Sequence, residues 1–101
     1  AVCPVVGSDG VFQGLVEMDD IRKKMFDTAN YSNIHVYNLM KQPAAYVTID
    51  EKAASVLDKF EKTGAWRLPV IDEQHHYLGF ISKSRILSAY RESLKSISLG
   101  D

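Results

Sequence analysis

Apolar and polar residues alternate in blocks along the chain, and one arrangement of blocks occurs twice. Apolar runs at residues 3–6 and 11–16 are separated by a polar turn, and runs at residues 66–71 and 77–82 are separated in the same way. Two short apolar runs around a turn are typical of a β-hairpin with buried strands. Each pair is followed by apolar residues at helical spacing. The pattern therefore predicts two β-β-α units.

The two β-β-α units are copies of one another. Moving residue 3 onto residue 68, a shift of 65 positions, aligns the two hairpins without a gap. The aromatic, glycine, aliphatic and helix-start positions that stay in register are Phe12 with Tyr77, Gly14 with Gly79, Leu15-Val16 with Phe80-Ile81, and Ile21 with Ile86. Agreement at so many positions indicates a true repeat. Glycine inside a strand predicts the close approach of another backbone or of a ligand.

Residues in front of the second hairpin predict an additional strand and helix. Residues 46–49 form a short strand-like run, Asp50 is the expected N-cap of the helix, and Gly64 is the expected residue after its last turn. Apolar residues occur at helical spacing in between, at Ala53, Val56, Leu57 and Phe60. A strand, a crossover helix and a second strand favour parallel pairing. The second unit is therefore predicted to be β-α-β-β-α.

Together these elements predict an α+β fold made of one partial and one complete unit. Residues 1–29 are the truncated first unit, and residues 46–95 are the complete second unit. Residues 30–45 are interpreted as a linker and lead-in, and residues 96–101 as a tail. The expected architecture is a small mixed sheet with helices on one face. Because the chain starts in a strand-like segment without a methionine, we expect it to be a piece of a longer protein.

Composition is that of an ordinary globular domain and narrows the range of functions. The chain has 101 residues, of which 46% are hydrophobic and 25% charged, and its formal net charge is −1. No basic stripe is present, so the sequence argues against a nucleic-acid partner. No apolar run approaches the roughly 18–20 residues needed to cross a bilayer, so we expect no direct membrane insertion of this segment.

Motifs in the second unit resemble a cystathionine-β-synthase-type (CBS) domain. The resemblance rests on residues 36–40 (VYNLM), the strand at 46–49, residues 68–72 (LPVID) and residues 77–82 (YLGFIS), and it extends over nearly the whole chain. CBS domains occur as tandem pairs, known as Bateman modules. Within this superfamily, residues 60–70 (FEKTGAWRLPV), together with the residues 79–84 (GFISKS) and Tyr90-Arg91, are similar to the cytosolic tails of bacterial ClC-type chloride channel proteins.

The resemblance implies a module that senses adenosine nucleotides such as ATP, ADP or AMP. The ligand motif of the family is a glycine, two aliphatic residues, serine or threonine, two variable residues and aspartate. The hydroxyl and the following helix N-terminus hold phosphate, and the aspartate binds the ribose hydroxyls. Unpaired N–H groups and the positive end of the helix dipole favour an anion at such a position.

Neither copy matches the whole ligand motif. The first keeps Asp20 but has Glu17 in place of the hydroxyl, and its acidic helix start would repel phosphate. The second keeps Ser82 but has Arg85 in place of the aspartate. Positive charge at the start of a helix is unfavourable, so Lys83 and Arg85 each destabilise the helix by about 0.3–1 kcal/mol. A bound phosphate would remove this destabilisation. Alternatively, both cations are solvated or paired with acidic residues of the other unit. The predicted nucleotide contacts are Glu17, Asp20, Val47, Thr48, Ser82, Lys83 and Arg85.

No residue pattern in the chain predicts catalysis or metal binding. His75-His76 lies in a hairpin turn without a third ligand at metal spacing. Cys3 aligns with Leu68 at a core position, so we expect a buried free thiol rather than a nucleophile. The sequence therefore predicts neither an enzyme nor a metal site.

The resemblance predicts a regulatory module on the cytosolic side of a chloride channel or transporter. A ligand or partner that favours one arrangement of the two units would bias the membrane-embedded domain of the parent protein. CBS-type modules commonly pair through their helices, and the truncated first unit leaves apolar surface, so we expect a homodimer. Two alternatives stay open: a structural dimerisation module without a ligand, and a regulatory insert of a soluble nucleotide-metabolising enzyme.

Overall fold

The chain folds as two compact units, Ala1–Pro43 (unit 1) and Ala44–Asp101 (unit 2). The computed structural model describes residues 1–27 and 35–99, with side chains described up to residue 95. The end of the predicted first unit, the first part of the predicted linker and the end of the predicted tail therefore lie outside the described residues.

Each unit contains a β-hairpin followed by a helix. The elements of unit 1 are β1 (Val2–Val6), β2 (Phe12–Glu17), α1 (Met18–Met25) and the short α2 (Val36–Leu39). The elements of unit 2 are β3 (Val47–Thr48), α3 (Ala53–Thr63), β4 (Arg67–Ile71), β5 (Tyr77–Ser82) and α4 (Lys83–Leu99). Apart from α2, which lies in the predicted linker and lead-in, this is the α+β element order that the hydrophobic pattern predicts.

Strand register confirms the internal repeat. In unit 1, Val2 pairs with Glu17 and Cys3 with Val16 in an antiparallel ladder. In unit 2, Arg67 pairs with Ser82 at the position equivalent to the Val2 pair. Each ladder also has an irregularity at the same place, before the last pair at the turn end. Two hairpins with the same register and the same bulge follow from one sequence pattern used twice.

A parallel strand and a crossover helix complete unit 2 as predicted. Strand β3 pairs in parallel with β4, so the three-stranded sheet is mixed, in the order β3-β4-β5. Helix α3 ends at Gly64, which has a φ of +69° and donates its N–H to the carbonyl of Phe60. Glycine adopts this left-handed conformation without the steric cost that a side chain would bring.

The start of α3 differs from the prediction. The N-cap is Lys52 rather than Asp50, and the helix begins at Ala53. Lys52 makes no side-chain hydrogen bond to the helix, and the carboxylate of the preceding Glu51 accepts the backbone N–H of the strand residue Thr48 at 3.2 Å. Strand β3 is also shorter than the predicted 46–49 and covers only two residues.

The core of unit 2 lies between its sheet and its helices. Phe60 is completely buried, and Leu68 and Val56 are 1% and 2% exposed. Val47 completes the buried cluster, and the partly buried residues that pack against it are Ala45, Ala65, Val70, Ile81 and Ile86. Contacts between α3 and α4 join the two helices over this core.

In unit 1, the chain after α2 returns to the sheet. Leu15 and Lys41 exchange two backbone hydrogen bonds of 2.7 and 2.8 Å, and the Gln42 side chain donates to the carbonyl of Gln13. This segment passes so close to Gly14 that a Cβ atom there would collide with the Met40 side chain. The close approach predicted for a glycine inside a strand is therefore confirmed at Gly14.

The predicted burial of Cys3 is wrong. Cys3 is exposed, and its thiol lies 3.3 Å from the sulfur of Met18. Its counterpart Leu68 is 1% exposed because α3 covers it. Among the described residues of unit 1, no helix equivalent to α3 covers β1. The alignment of Cys3 with the core residue Leu68 therefore did not predict whether Cys3 is buried.

Candidate functional site

One end of the unit 2 sheet brings together a strand, a hairpin end and a helix start. Arg67 begins β4 and pairs with Ser82, the last residue of β5. Helix α4 begins at the next residue, Lys83, whose backbone N–H donates to the carbonyl of Trp66 at 2.9 Å. We call Arg67, Ser82, Lys83 and Arg85 the basic end of unit 2.

Ser82 acts as a hydrogen-bonding residue at the start of α4. Its hydroxyl oxygen accepts the backbone N–H of Arg85 at 3.3 Å, and it lies 3.4 Å from the hydroxyl of Ser84. An oxygen that accepts an amide hydrogen at the helix start is a typical N-cap. The hydroxyl proton of Ser82 can still be donated to an acceptor.

Aromatic side chains hold two cations of the basic end. The Arg67 guanidinium lies 4.5 Å from the ring centre of Phe80. The Lys83 ammonium lies 5.6 Å from the ring centre of Trp66 and forms an ion pair of 3.1 Å with Glu61. Stacking of this kind orients a cation without neutralising it. The Trp66 side chain is 77% exposed, so the basic end presents an open aromatic surface beside positive charge.

The structure separates the residues that were predicted as contacts in unit 2. Ser82, Lys83 and Arg85 lie together, whereas Thr48 pairs with Ile71 at the opposite end of β4 from Arg67. Five strand residues place these ends about 13 Å apart. Val47 is 3% exposed and packs in the core. A single small site at the basic end therefore does not include the side chains of Val47 and Thr48.

Unit 1 has a different chemistry at the equivalent position. Glu17 pairs with Val2, so a carboxylate stands where unit 2 has Ser82 and an aliphatic side chain stands where it has Arg67. Glu17 is also the N-cap of α1, without a side-chain hydrogen bond to the helix. Asp20 lies in the first turn, where negative charge already complements the helix dipole. This end of unit 1 therefore presents the carboxylates of Glu17 and Asp20 where unit 2 presents Ser82 and Arg85.

Arg67 belongs to the basic end but was not among the contacts predicted from the sequence. Its importance comes from the ladder that places it beside Ser82, and this pairing follows from the hairpin register. The repeat could have indicated Arg67, since the register of a hairpin predicts which residue of β4 pairs with Ser82.

A half-buried ion pair contacts the chain just before and just after β3. The Lys59 ammonium donates to the carbonyl of Tyr46 at 2.6 Å and to the carboxylate of Glu51 at 2.8 Å. The other oxygen of Glu51 accepts the Ser55 hydroxyl at 2.6 Å. Burial by itself would raise the pKa of Glu51, but the hydrogen bonds from Lys59, Ser55 and the Thr48 amide and the charge of Lys59 lower that pKa overall. Both carboxylate oxygens of Glu51 therefore accept hydrogen bonds in this network.

Comparison with known families identifies the fold. The family model described as CBS domain matches residues 36–92, which is more than half of the chain. The chain belongs to the CBS domain family. The match includes all of β3, α3, β4 and β5 and most of α4, so it covers the basic end.

Solved structures of CBS proteins have the same fold as this chain. CBSX2 in complex with AMP is 19% identical, with a TM-score of 0.68, and the match covers 90% of this chain and 71% of that chain. CbpB in complex with c-di-AMP is 16% identical, with a TM-score of 0.70, and the match covers 99% of this chain and 68% of that chain. At these identities, the likeness shows the fold.

The chain is also similar to one part of a longer protein that is named as an enzyme. A homoserine O-acetyltransferase of Methanosarcina acetivorans is 29% identical over 87 residues. The match covers 86% of this chain but only 15% of that protein, so the chain spans a small part of its relative's length. Among the described helices of the CBS chain, none is long and apolar enough to span a membrane.

At the other end of β4, the CBS unit has an open, acidic cavity. A space of about 290 Å³ is lined by Thr48, Ile49, Asp50, Asp72, Glu73 and Gln74. Asp72 accepts the backbone N–H groups of Gln74 and His76 and lies 2.9 Å from the His76 ring nitrogen. The backbone hydrogen bond from His76 is the largest of the contacts that lower the pKa of Asp72. Asp72 therefore shapes the hairpin turn.

Two adjacent histidines, His75 and His76, lie in this hairpin turn. His75 has a φ of +67° and its ring packs edge-on against Tyr46, with ring centres 4.8 Å apart. Within the part of the chain that the structure describes, no group of three or more histidine, cysteine, aspartate or glutamate side chains could hold a metal ion. Turn geometry accounts for the positions of both histidines.

Proposed function

We propose that this CBS chain is a regulatory module that binds an adenosine nucleotide at the basic end of unit 2. The observation that carries the proposal is the placement of Arg67 beside Ser82, directly before the N-terminus of α4. A guanidinium, a hydroxyl and the positive end of a helix dipole are a suitable set of groups for binding phosphate. The AMP and c-di-AMP complexes of proteins with the same fold support this ligand class.

The charge of the basic end determines which part of a nucleotide it would recognise. Arg67, Lys83 and Arg85 are opposed there by Glu61, which is paired with Lys83. Arg85 replaces the family's aspartate, so the ribose hydroxyls lose their usual acceptor while phosphate gains a cation. We therefore infer that the phosphates provide most of the binding energy. Binding would act by population shift, stabilising one arrangement of the module over others.

Replacing Arg67 by methionine is expected to weaken ATP binding by at least about tenfold. The substitution keeps the apolar stem but removes a charged donor, whose hydrogen bonds contribute about 1.5–3 kcal/mol. Isothermal titration calorimetry of the 101-residue chain with ATP measures the effect. Arg91→Met, on an exposed part of α4, is the matched control and should bind like the wild type. Equal affinity of the Arg67→Met and wild-type chains would contradict the proposed site.

We further propose that the parent protein is a chloride channel or transporter, with the module at the cytosolic face of the membrane. Residues 60–70 and 79–84, which resemble the tails of ClC-type proteins, support this parent. The acetyltransferase relative favours a second candidate, a regulatory segment attached to a soluble enzyme. The sequence of the parent gene separates them: several long apolar helices indicate the transporter, and an acyltransferase domain indicates the enzyme.

We propose no catalytic role for the chain, and we expect it to form a homodimer. Large exposed apolar side chains support association, including Tyr37, Ile49 and Trp66. Light scattering tests the oligomeric state, and a monomer at high concentration would contradict the dimer. A dimer that gives no heat with ATP, ADP or AMP would instead support a structural dimerisation module.

A further inference from the structure

Strand β3 is the least secured strand of unit 2. It contains two residues, and among the described strands it pairs with β4 alone. Its ladder has two register pairs, Val47 with Val70 and Thr48 with Ile71. One further backbone hydrogen bond, of 3.3 Å, joins the N–H of Ile49 to the carbonyl of Ile71. So short a ladder cannot by itself fix the residues that precede it.

The direction of β3 indicates where the preceding residues, 44–46, lie relative to the basic end. If the parallel register of Val47 with Val70 is continued backwards, Ala45 lies beside Leu68 and Ala44 beside Arg67. Packing of Ala45 against the cluster that contains Leu68 agrees with this continuation. On this continued register, the backbone of residues 44–46 would lie on the side of the basic end opposite to Ser82, since β4 lies between β3 and β5.

One ammonium group holds both sides of β3. Lys59 on α3 donates to the carbonyl of Tyr46, before the strand, and to Glu51, after it. Glu51 in turn accepts the amide of Thr48 and the hydroxyl of Ser55. The Glu51 side chain is 11% exposed and that of Lys59 is 34% exposed, so the pair is shielded more than a surface ion pair. The network ties residues 46–51 to α3.

From this geometry, we propose that Lys59 and Glu51 are positioning residues that hold residues 44–46 in place beside the basic end for nucleotide binding. This inference rests on the proposed function. The pair does not touch the nucleotide; it acts through the backbone at Tyr46. Loss of the pair would let this backbone move away from Arg67 and leave the site less well ordered, which lowers affinity without removing any ligand contact.

The test compares ATP affinities of folded chains. Lys59→Met alone leaves the carboxylate of Glu51 half-buried and unpaired, so the main variant is Lys59→Met with Glu51→Gln, which removes both charges. Lys62→Met is the matched control, because Lys62 lies on the same helix and its ion pair with Asp58 is exposed. Lys59→Arg keeps the charge and can donate to both acceptors. Circular dichroism fixes a temperature at which all variants are folded, and calorimetry with ATP follows there.

We expect the double variant to bind ATP about tenfold more weakly, while Lys62→Met and Lys59→Arg bind within about twofold of the wild type. A purely structural pair would change the melting temperature but not the affinity of the folded chain. If the double variant binds as tightly as the wild type, the positioning role is wrong and the proposed function stands. If the wild-type chain itself binds no ATP, ADP or AMP, the proposed function fails and the positioning role with it.

Discussion

Phe60→Ala is expected to lower the free energy of unfolding of unit 2 by about 3–5 kcal/mol. Phe60 is completely buried, and it packs with Val47, Val56 and Leu68 between α3 and the sheet. Removing the ring takes away its burial energy and leaves a cavity that the rigid surroundings fill only in part. Urea titration followed by far-ultraviolet circular dichroism measures the loss. A loss of this size is a large part of the total stability of a small domain.

The matched control for this variant is Phe26→Ala. Phe26 is 84% exposed, so the same truncation should change the free energy of unfolding by less than about 0.5 kcal/mol. A small effect of Phe60→Ala, comparable with that of Phe26→Ala, would mean that the core of unit 2 is not built around Phe60.

Gly14→Ala is expected to destabilise unit 1 by about 1–3 kcal/mol, the usual cost of overpacking. A Cβ atom at this position would collide with the Met40 side chain, with 2.8 Å to its sulfur and 3.1 Å to the carbonyl oxygen of Lys41. Relief requires moving the segment that pairs with Leu15 through two backbone hydrogen bonds. Urea titration of the variant gives the cost.

A double-mutant cycle shows whether the cause is this contact. Met40→Ala removes the atoms nearest to the new methyl group, so we expect Gly14→Ala to cost less in the Met40→Ala background. Gly79→Ala is the comparison at the equivalent position of unit 2. Nothing lies within 4 Å of a Cβ atom there, but φ is +138°, so its cost comes from the backbone and Met40→Ala should not relieve it. Equal costs of Gly14→Ala in both backgrounds would rule out the steric explanation.

These two glycines show how far a repeat can be interpreted. The shift of 65 positions predicted both hairpins, and the structure gives them the same register and the same bulge. Equivalent positions nevertheless differ in their surroundings. Gly14 is required by a neighbouring segment, and Gly79 by its backbone conformation. Cys3 differs from Leu68 for the same kind of reason, because the described part of unit 1 has no helix over β1.

The candidate site was only partly predictable for a related reason. The family motif led to Ser82, Lys83 and Arg85, which are adjacent in sequence and lie together at the start of α4. Arg67 comes from another strand, and only the ladder places it there. Thr48 was also predicted as a contact, whereas the parallel register sets it at the opposite end of β4. Lys59 and Glu51 carry no motif, since their role depends on a helix folding back over β3.

Titration of the isotopically labelled 101-residue chain with ATP, followed by the nuclear magnetic resonance signals of its backbone amides, tests the central claim most directly. The account predicts that the signals of Arg67, Ser82, Lys83 and Arg85 shift and saturate, while that of Thr48 at the acidic cavity stays in place. No shift at millimolar ATP, or shifts confined to the cavity around Thr48, would contradict nucleotide binding at the basic end of unit 2.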